Sequence, residues 1–333
     1  MASVSAPHPL VIAHRGASGY RPEHTRSAYE LAIAMGADAV EPDIVPTKDG
    51  VLVLRHENEI SGTTDVAAHP EFAGRKTTKT IDGQKLTGWF TEDFTWHELA
   101  HLRSRERLPK VRLSNTTFNG FDGILRLRDL FALLDATSVD LVAEIKHAAY
   151  FESIGLPLDE LFAAEARAAG WHDSGRLTME AFEESVLHKI RNRGIVGDLV
   201  YLLEASGSPA DLVASHGKDA ASYASQLTDA GLAALAERLD GISVDKRLLL
   251  HRDAAGNTVG ITNLVDRAHA AGLTVFCWTL RPENQFLGKN LRRGDGPGAF
   301  GDWLGEFQLI MASGVDGVFA DHPDLAIEAR ARL

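Results

Sequence analysis

Short apolar runs alternate with helix-patterned segments along most of the chain, and this rhythm limits the possible folds more than any other feature. Leu10 to Ala13 is apolar and ends in His14-Arg15-Gly16. Ala28, Leu31, Ala32 and Met35 then fall at i, i+3, i+4, i+7, one face of a helix, with Gly36 placed to cap it. A strand pair follows between Val40 and Glu57. After an irregular stretch the alternation returns with the stripe Leu127, Leu130, Phe131, Leu134 and the run DLVAEIK ending at Lys146. Further strand and helix patterns reach the last apolar run, which ends at Ala320, and a terminal helix. Strands alternating with helices form a parallel sheet. About eight such units predict an α/β fold of the TIM (β/α)8 barrel type, which needs about 250 residues.

The chain has 333 residues, and most of the surplus falls between residues 58 and 123. That stretch is rich in turn residues but carries Trp89, Phe90, Phe94 and Trp96, too many aromatics for a disordered segment. It reads as a small inserted cap, with one helix-like segment from Thr91 to Leu102, within a single domain spanning 1–333. A doubly wound open sheet fits less well, because HRGASGY after the first strand lacks the Gly-x-Gly-x-x-Gly phosphate fingerprint.

Composition excludes several classes of function. A net charge of −12 disfavours nucleic acid as a partner, so any phosphate site must be a local positive island. The single cysteine, Cys277, allows no intrachain disulfide and sits in an apolar run as a small buried filler. No apolar run reaches the length of a membrane span. The N-terminal MASVSAPHPL lacks the basic and apolar regions of a signal peptide, so a cytoplasmic location is expected.

The stretch VEPDIVPTKDGVLVLRHE holds Glu41 and Asp43 two residues apart, which on one strand puts them on one face roughly 6–7 Å apart. Acid pairs on strands commonly face solvent at a sheet edge. Here Val40, Pro42 and Ile44 are apolar on the other face, and buried carboxylates need a partner or a cation. In a barrel, functional side chains gather at the C-terminal ends of strands. His14 ends the first run; Leu10, Ile12 and His14 share a face, as do Leu52, Leu54 and His56. Glu144 and Lys146 end DLVAEIK, and Trp278 ends a late strand. Three carboxylates, Glu41, Asp43 and Glu144, form a hard oxygen ligand set suited to Ca²⁺ or Mg²⁺. Arg15 and Lys146 can hold phosphate oxygens, and His14 and His56 can serve as an acid/base pair.

At these residues a family resemblance emerges. HRGASGYRPEHT, VEPDIVPTKDGVLVLRHE, AEIK and the closing FADHPD together resemble the glycerophosphodiester phosphodiesterase family, most closely its larger bacterial type with Pro-Glu-His-Thr. The resemblance covers essentially the whole chain, from His14 to the closing FADHPD. It implies a TIM barrel with a small insertion and hydrolysis of glycerophosphodiesters to glycerol 3-phosphate and an alcohol, with one divalent cation, Ca²⁺ or Mg²⁺. By motif, His14 and His56 are similar to the family's acid/base pair and Arg15 to its phosphate-binding arginine. Lys146 is similar to a substrate-side lysine, Glu41, Asp43 and Glu144 to its metal ligands, and Trp278 to an aromatic lining the pocket. His56 is followed by Glu57 where His-Asp is usual; this acid is expected to orient the loop. The alternative is a phospholipase D-type enzyme acting on lysophospholipid or sphingolipid headgroups, on the same scaffold with a more apolar pocket.

Overall fold

The computed structural model describes residues 8–333; most of the N-terminal segment read above for export signals lies outside the described residues. Eight parallel strands close on themselves. They are β1 (Leu10–His14), β2 (Ala39–Glu41), β3 (Asp140–Ile145), β4 (Leu177–Ala181), β5 (Asp198–Leu203), β6 (Gly241–Asp245), β7 (Thr274–Leu280) and β8 (Gly317–Ala320). Neighbours in sequence pair in parallel throughout, and β1 also pairs with β8, matching Leu10 to Gly317 and Ala13 to Ala320. The seam between β2 and β3 has two rungs, Ala39 to Asp140 and Val40 to Leu141. The architecture is a TIM barrel, with a principal helix between successive strands: α1 (Arg26–Ala34), α2 (Leu127–Leu134), α3 (Leu158–Ala168), α4 (Glu184–Asn192), α5 (Asp229–Ala236), α6 (Leu264–Ala271) and α7 (Trp303–Met311). After β8 comes α8 (Pro323–Ala331).

Period-two alternation divides the strand side chains between two cores. Ile12, Ala39, Val142, Val200, Phe276 and Phe319 fill the barrel interior. Their strand neighbours, such as Val11, Ala13, Leu141 and Ala143, pack outward against the helices. The helices bury the stripes their spacing predicts: in α2, Leu127, Leu130, Phe131 and Leu134 are almost wholly buried. Each such side chain contributes about 1.5–3 kcal/mol of transfer free energy. Gly36 follows α1 with φ +87, the left-handed geometry of a helix stop. Pro157 is the N-cap of α3 rather than its first residue. Cys277 is buried, as expected of a filler.

Two expectations are corrected. Glu41 and Asp43 do not share an unbroken strand. Pro42, which has no N–H to donate, separates β2 from a second strand, Asp43–Pro46. This strand continues beside β3, with Asp43 opposite Glu144, and pairs antiparallel with Leu52–Leu54. The parity argued for His56 also fails. Leu52 and Leu54 belong to the outer core, and the strand stops at Leu54, so His56 lies in the turn beyond it.

Residues 58–123 carry an antiparallel hairpin, Thr77–Ile81 with Gln84–Gly88, and several 3₁₀ turns. The predicted helix from Thr91 to Leu102 is a 3₁₀ turn, Thr91–Asp93, followed by one helical turn, Trp96–Leu99. Thr95 caps that turn, its N–H donating to Glu98 Oε2 at 2.9 Å, so the helix cannot start earlier. Phe72, Trp89, Phe90 and Phe94 are buried, Trp96 is half-buried, and Phe121 is exposed.

Candidate active site

Five of the six inward side chains of the barrel interior lead, two positions on, to a residue of one cleft. Ile12 leads to His14, Ala39 to Glu41, Val142 to Glu144, Val200 to Leu202 and Phe276 to Trp278. All five successors line one cleft of about 230 Å³ at the C-terminal ends of the strands, together with Arg15 and His56. Asp43 and Lys146 are buried beside it without forming its lining. The structure therefore brings all eight residues singled out in the sequence to one mouth.

The carboxylates come closest. One oxygen each from Glu41, Asp43 and Glu144 lies within 4.8 Å of the other two. Glu41 Oε1, Asp43 Oδ1 and Glu144 Oε1 are buried and accept no hydrogen bond. The other oxygens of Glu41 and Asp43 are held. Arg15 N–H donates to Glu41 Oε2 at 2.9 Å, and His24 Nε2 lies 2.9 Å from Asp43 Oδ2. Arg15 Nε approaches the same Asp43 oxygen at 3.1 Å. Lys146 Nζ sits 2.8 Å from Glu144 Oε1, out of hydrogen-bond alignment, and 3.6 Å from Asp43 Oδ1.

Burial, with the charges of Asp43 and Glu144, pushes the Glu41 carboxyl well above its usual range. Burial also raises Glu144, to about 8, although Lys146 opposes it. Burial would raise Asp43 too, but Arg15, then Lys146 and His56, hold it well below. Lys146 and Arg15 border this trio of acids, yet two of the three carboxyls are still held high. Three hard oxygen donors this close together fit a divalent cation, with further coordination places left for water or substrate.

The two imidazoles are each anchored through Nδ1, which leaves Nε2 for a ligand. His14 Nδ1 is 2.6 Å from Asp321 Oδ1, and His56 Nδ1 is 2.9 Å from Glu57 Oε1. Burial, then the charge of Arg15, lowers His14 to about 3. The same two causes, with Lys146, lower His56 to about 4, although 27% of its side chain remains exposed. Glu57 also faces His147 Nε2 at 3.4 Å, and His147 Nδ1 meets Asp82 Oδ2 at 2.5 Å at the tip of the hairpin. Glu57 thus holds the His56 ring itself, a contact beyond the loop-orienting role expected from the sequence.

Several site residues escaped the sequence reading. Glu23 takes Arg15 and Arg107 on one oxygen, at 2.9 and 2.7 Å. His24 bridges Asp43 to Tyr29. Glu180 lines the cleft from β4 with Oε2 unpartnered. Asp321 carries His14 on Oδ1, and Arg112 and Arg281 on Oδ2. Among the described residues the only non-glycine positions with positive φ are Arg15, His24, Asp82 and His147, and all four belong to this network. Such outliers gather where surrounding contacts over-determine the backbone.

Comparison with known proteins agrees with this geometry. A glycerophosphodiester phosphodiesterase of Arabidopsis thaliana is 32% identical over 325 residues, 94% of this chain and 83% of its own length. A crystal structure of a Silicibacter pomeroyi protein assigned to the same family superposes with TM-score 0.69 at 21% identity, covering 98% of this chain and 95% of that one. A phosphodiesterase of Oleispira antarctica, solved in complex with the product sn-glycerol-3-phosphate, has TM-score 0.60 at 18% identity, covering 97% and 96%. The Glycerophosphoryl diester phosphodiesterase family matches residues 14–325, nearly the whole described chain, and the protein belongs to that family.

Proposed function

We propose that the protein hydrolyses glycerophosphodiesters to glycerol 3-phosphate and an alcohol at this cleft, using one divalent cation held by Glu41, Asp43 and Glu144. The observation that carries the proposal is the cluster of three buried carboxylates, with one oxygen of each within 4.8 Å of the others, flanked by two anchored imidazoles. The all-oxygen donor set favours Ca²⁺ or Mg²⁺ over softer metals. When bound, the cation neutralises charge on the phosphoryl oxygens.

The chain's own residues supply the rest. Arg15, fixed by Glu23 and Asp43, presents its guanidinium edge toward the phosphate. Lys146 balances the acids and adds positive potential beside them. His14 and His56 form the acid/base pair, each with Nδ1 occupied and Nε2 free for proton transfer. Trp278, whose indole N–H has no partner, and Phe182 line one wall for the glycerol or headgroup carbons. Residues 58–123 act as a cap on a single barrel domain, since Arg107 reaches the cleft from that segment.

The reading as a phospholipase D-type enzyme has less support. A cleft of about 230 Å³ is smaller than the roughly 300–1,000 Å³ typical of ligand pockets, which favours a compact headgroup. No helix among the described residues is long and apolar enough to cross a membrane. The test is release of glycerol 3-phosphate from glycerophosphocholine by chelator-treated protein, before and after adding Ca²⁺ or Mg²⁺, with lysophosphatidylcholine in parallel. Activity only with cation, lost in Glu41→Ala, supports the proposal. Full activity in chelator rejects the metal role, and preference for the lysolipid selects the alternative.

A further inference from the structure

Arg112 lies, like Arg107, on the capping segment and not on the barrel, yet is only 6% exposed. Its guanidinium spends each edge on a different loop. Nε donates to Glu283 Oε1 at 2.6 Å, beyond β7. One terminal nitrogen donates to the Ser18 carbonyl at 3.1 Å, in the loop after β1, and the other to Asp321 Oδ2 at 2.5 Å, beyond β8. Asp321 in turn fixes His14 through its other oxygen at 2.6 Å. Ser18 closes the circuit, its hydroxyl donating to the His14 carbonyl at 2.8 Å. Arg112 therefore touches both the side-chain partner of His14 and the backbone turn that carries it.

The surrounding contacts show that this segment is seated firmly. Asn115 donates to the same Ser18 carbonyl at 3.3 Å and to Glu106 at 3.0 Å. A Cβ placed at Gly298 would lie 2.4 Å from the Val111 carbonyl oxygen, so the cap and the β7–α7 loop are in close backbone contact.

We propose that Arg112 is a positioning residue: docked from the cap, it orients Asp321 so that the carboxylate holds His14 Nδ1 and leaves Nε2 aimed at the scissile phosphate. Arg112 and Arg281 both bind Oδ2, which leaves Oδ1 as the only oxygen of Asp321 for the imidazole. A lysine could supply the charge but not the three-way planar fork. On this proposal residues 58–123 set the orientation of the acid/base group through Arg112, as well as reaching the cleft through Arg107. This inference rests on His14 being half of the acid/base pair.

The experiment is a double-mutant cycle on cation-loaded enzyme with glycerophosphocholine, reading kcat and KM separately, with melting temperature and circular dichroism as controls. Arg112→Ala is expected to lower kcat about 10–100-fold with KM changed less than about threefold. Asp321→Asn is expected to lower kcat at least as much, and the double variant no further than Asp321→Asn alone. Arg112→Lys should recover part of the loss and keeps the test open if the alanine variant misfolds. Additive losses in the double variant, or a lowered melting temperature with kcat unchanged in both Arg112 variants, would overturn the proposal and leave Arg112 a structural strap. Full activity in His14→Ala would instead remove the acid/base reading on which the inference rests.

Discussion

Replacing Glu144 with glutamine should make the cation-free protein more stable while abolishing its response to cations. In the folded chain the Glu144 carboxyl is pushed up to about 8 from 4.5, chiefly by burial and with Lys146 already included among its neighbours. The sign follows from linkage. A carboxyl whose folded pKa is raised costs nothing below its unfolded value. The penalty grows as pH rises above 4.5 and levels off above 8. At pH 7 it amounts to about 3 kcal/mol, and at pH 5 to about 1 kcal/mol.

Glutamine keeps the volume and an acceptor for Lys146 while removing the charge. A chain of 333 residues unfolds with an entropy of about 0.7 kcal/mol/K, so the gain in melting temperature at pH 7 is about 4–5 °C. The assay is thermal unfolding of wild type and Glu144→Gln in chelator from pH 5 to 8, repeated with Ca²⁺ and Mg²⁺. Wild type should gain stability with cation and the variant little or none. A variant no more stable than wild type in chelator at pH 7, or a gap that does not widen with pH, would refute the reasoning.

Three further outcomes follow from the same geometry. His14→Ala and His56→Ala should each lower kcat by about 10²–10⁴ with circular dichroism unchanged, measured as release of glycerol 3-phosphate. His147 is raised to about 9 because its hydrogen bonds to Asp82 and Glu57 outweigh burial. It therefore contributes up to about 3 kcal/mol below pH 6.5, lost as pH rises through 9, so the melting-temperature gap between wild type and His147→Ala should shrink between pH 6.5 and 9.5. Gly16 has φ +79, and a Cβ there would meet the Ala28 carbonyl carbon at 2.7 Å. Gly16→Ala should accordingly destabilise the protein by about 2 kcal/mol or more, a fall of about 3 °C or more in melting temperature.

The fold was legible in the sequence because a barrel writes its two cores into a period of two. The same alternation that puts Ile12 inside puts His14 at the mouth, and it does so again for Glu41, Glu144 and Trp278. Applied one strand further it would have reached Asp321, two residues past Phe319, and likewise Glu180 on β4. Other site residues carry no such signal. His24 and Glu23 lie in a loop whose left-handed turn at His24 has no periodicity to read. Arg112 acquires its role from partners 94 and 209 residues away in the chain, a relation that local pattern cannot express. His56 was placed in the cleft for the wrong reason: its strand stops at Leu54, and the turn beyond carries it there.

The pairing of β1 with β8 sets an order on assembly. Leu10 must find Gly317, and His14 must find Asp321 across 307 residues, so β1 waits for β8 before it is flanked on both sides. Closing so long a loop is slow and entropically demanding. As the chain emerges from the ribosome, β1 lacks one flanking neighbour until β8 has been made. The His14 imidazole therefore gains its carboxylate partner only once Asp321 has followed.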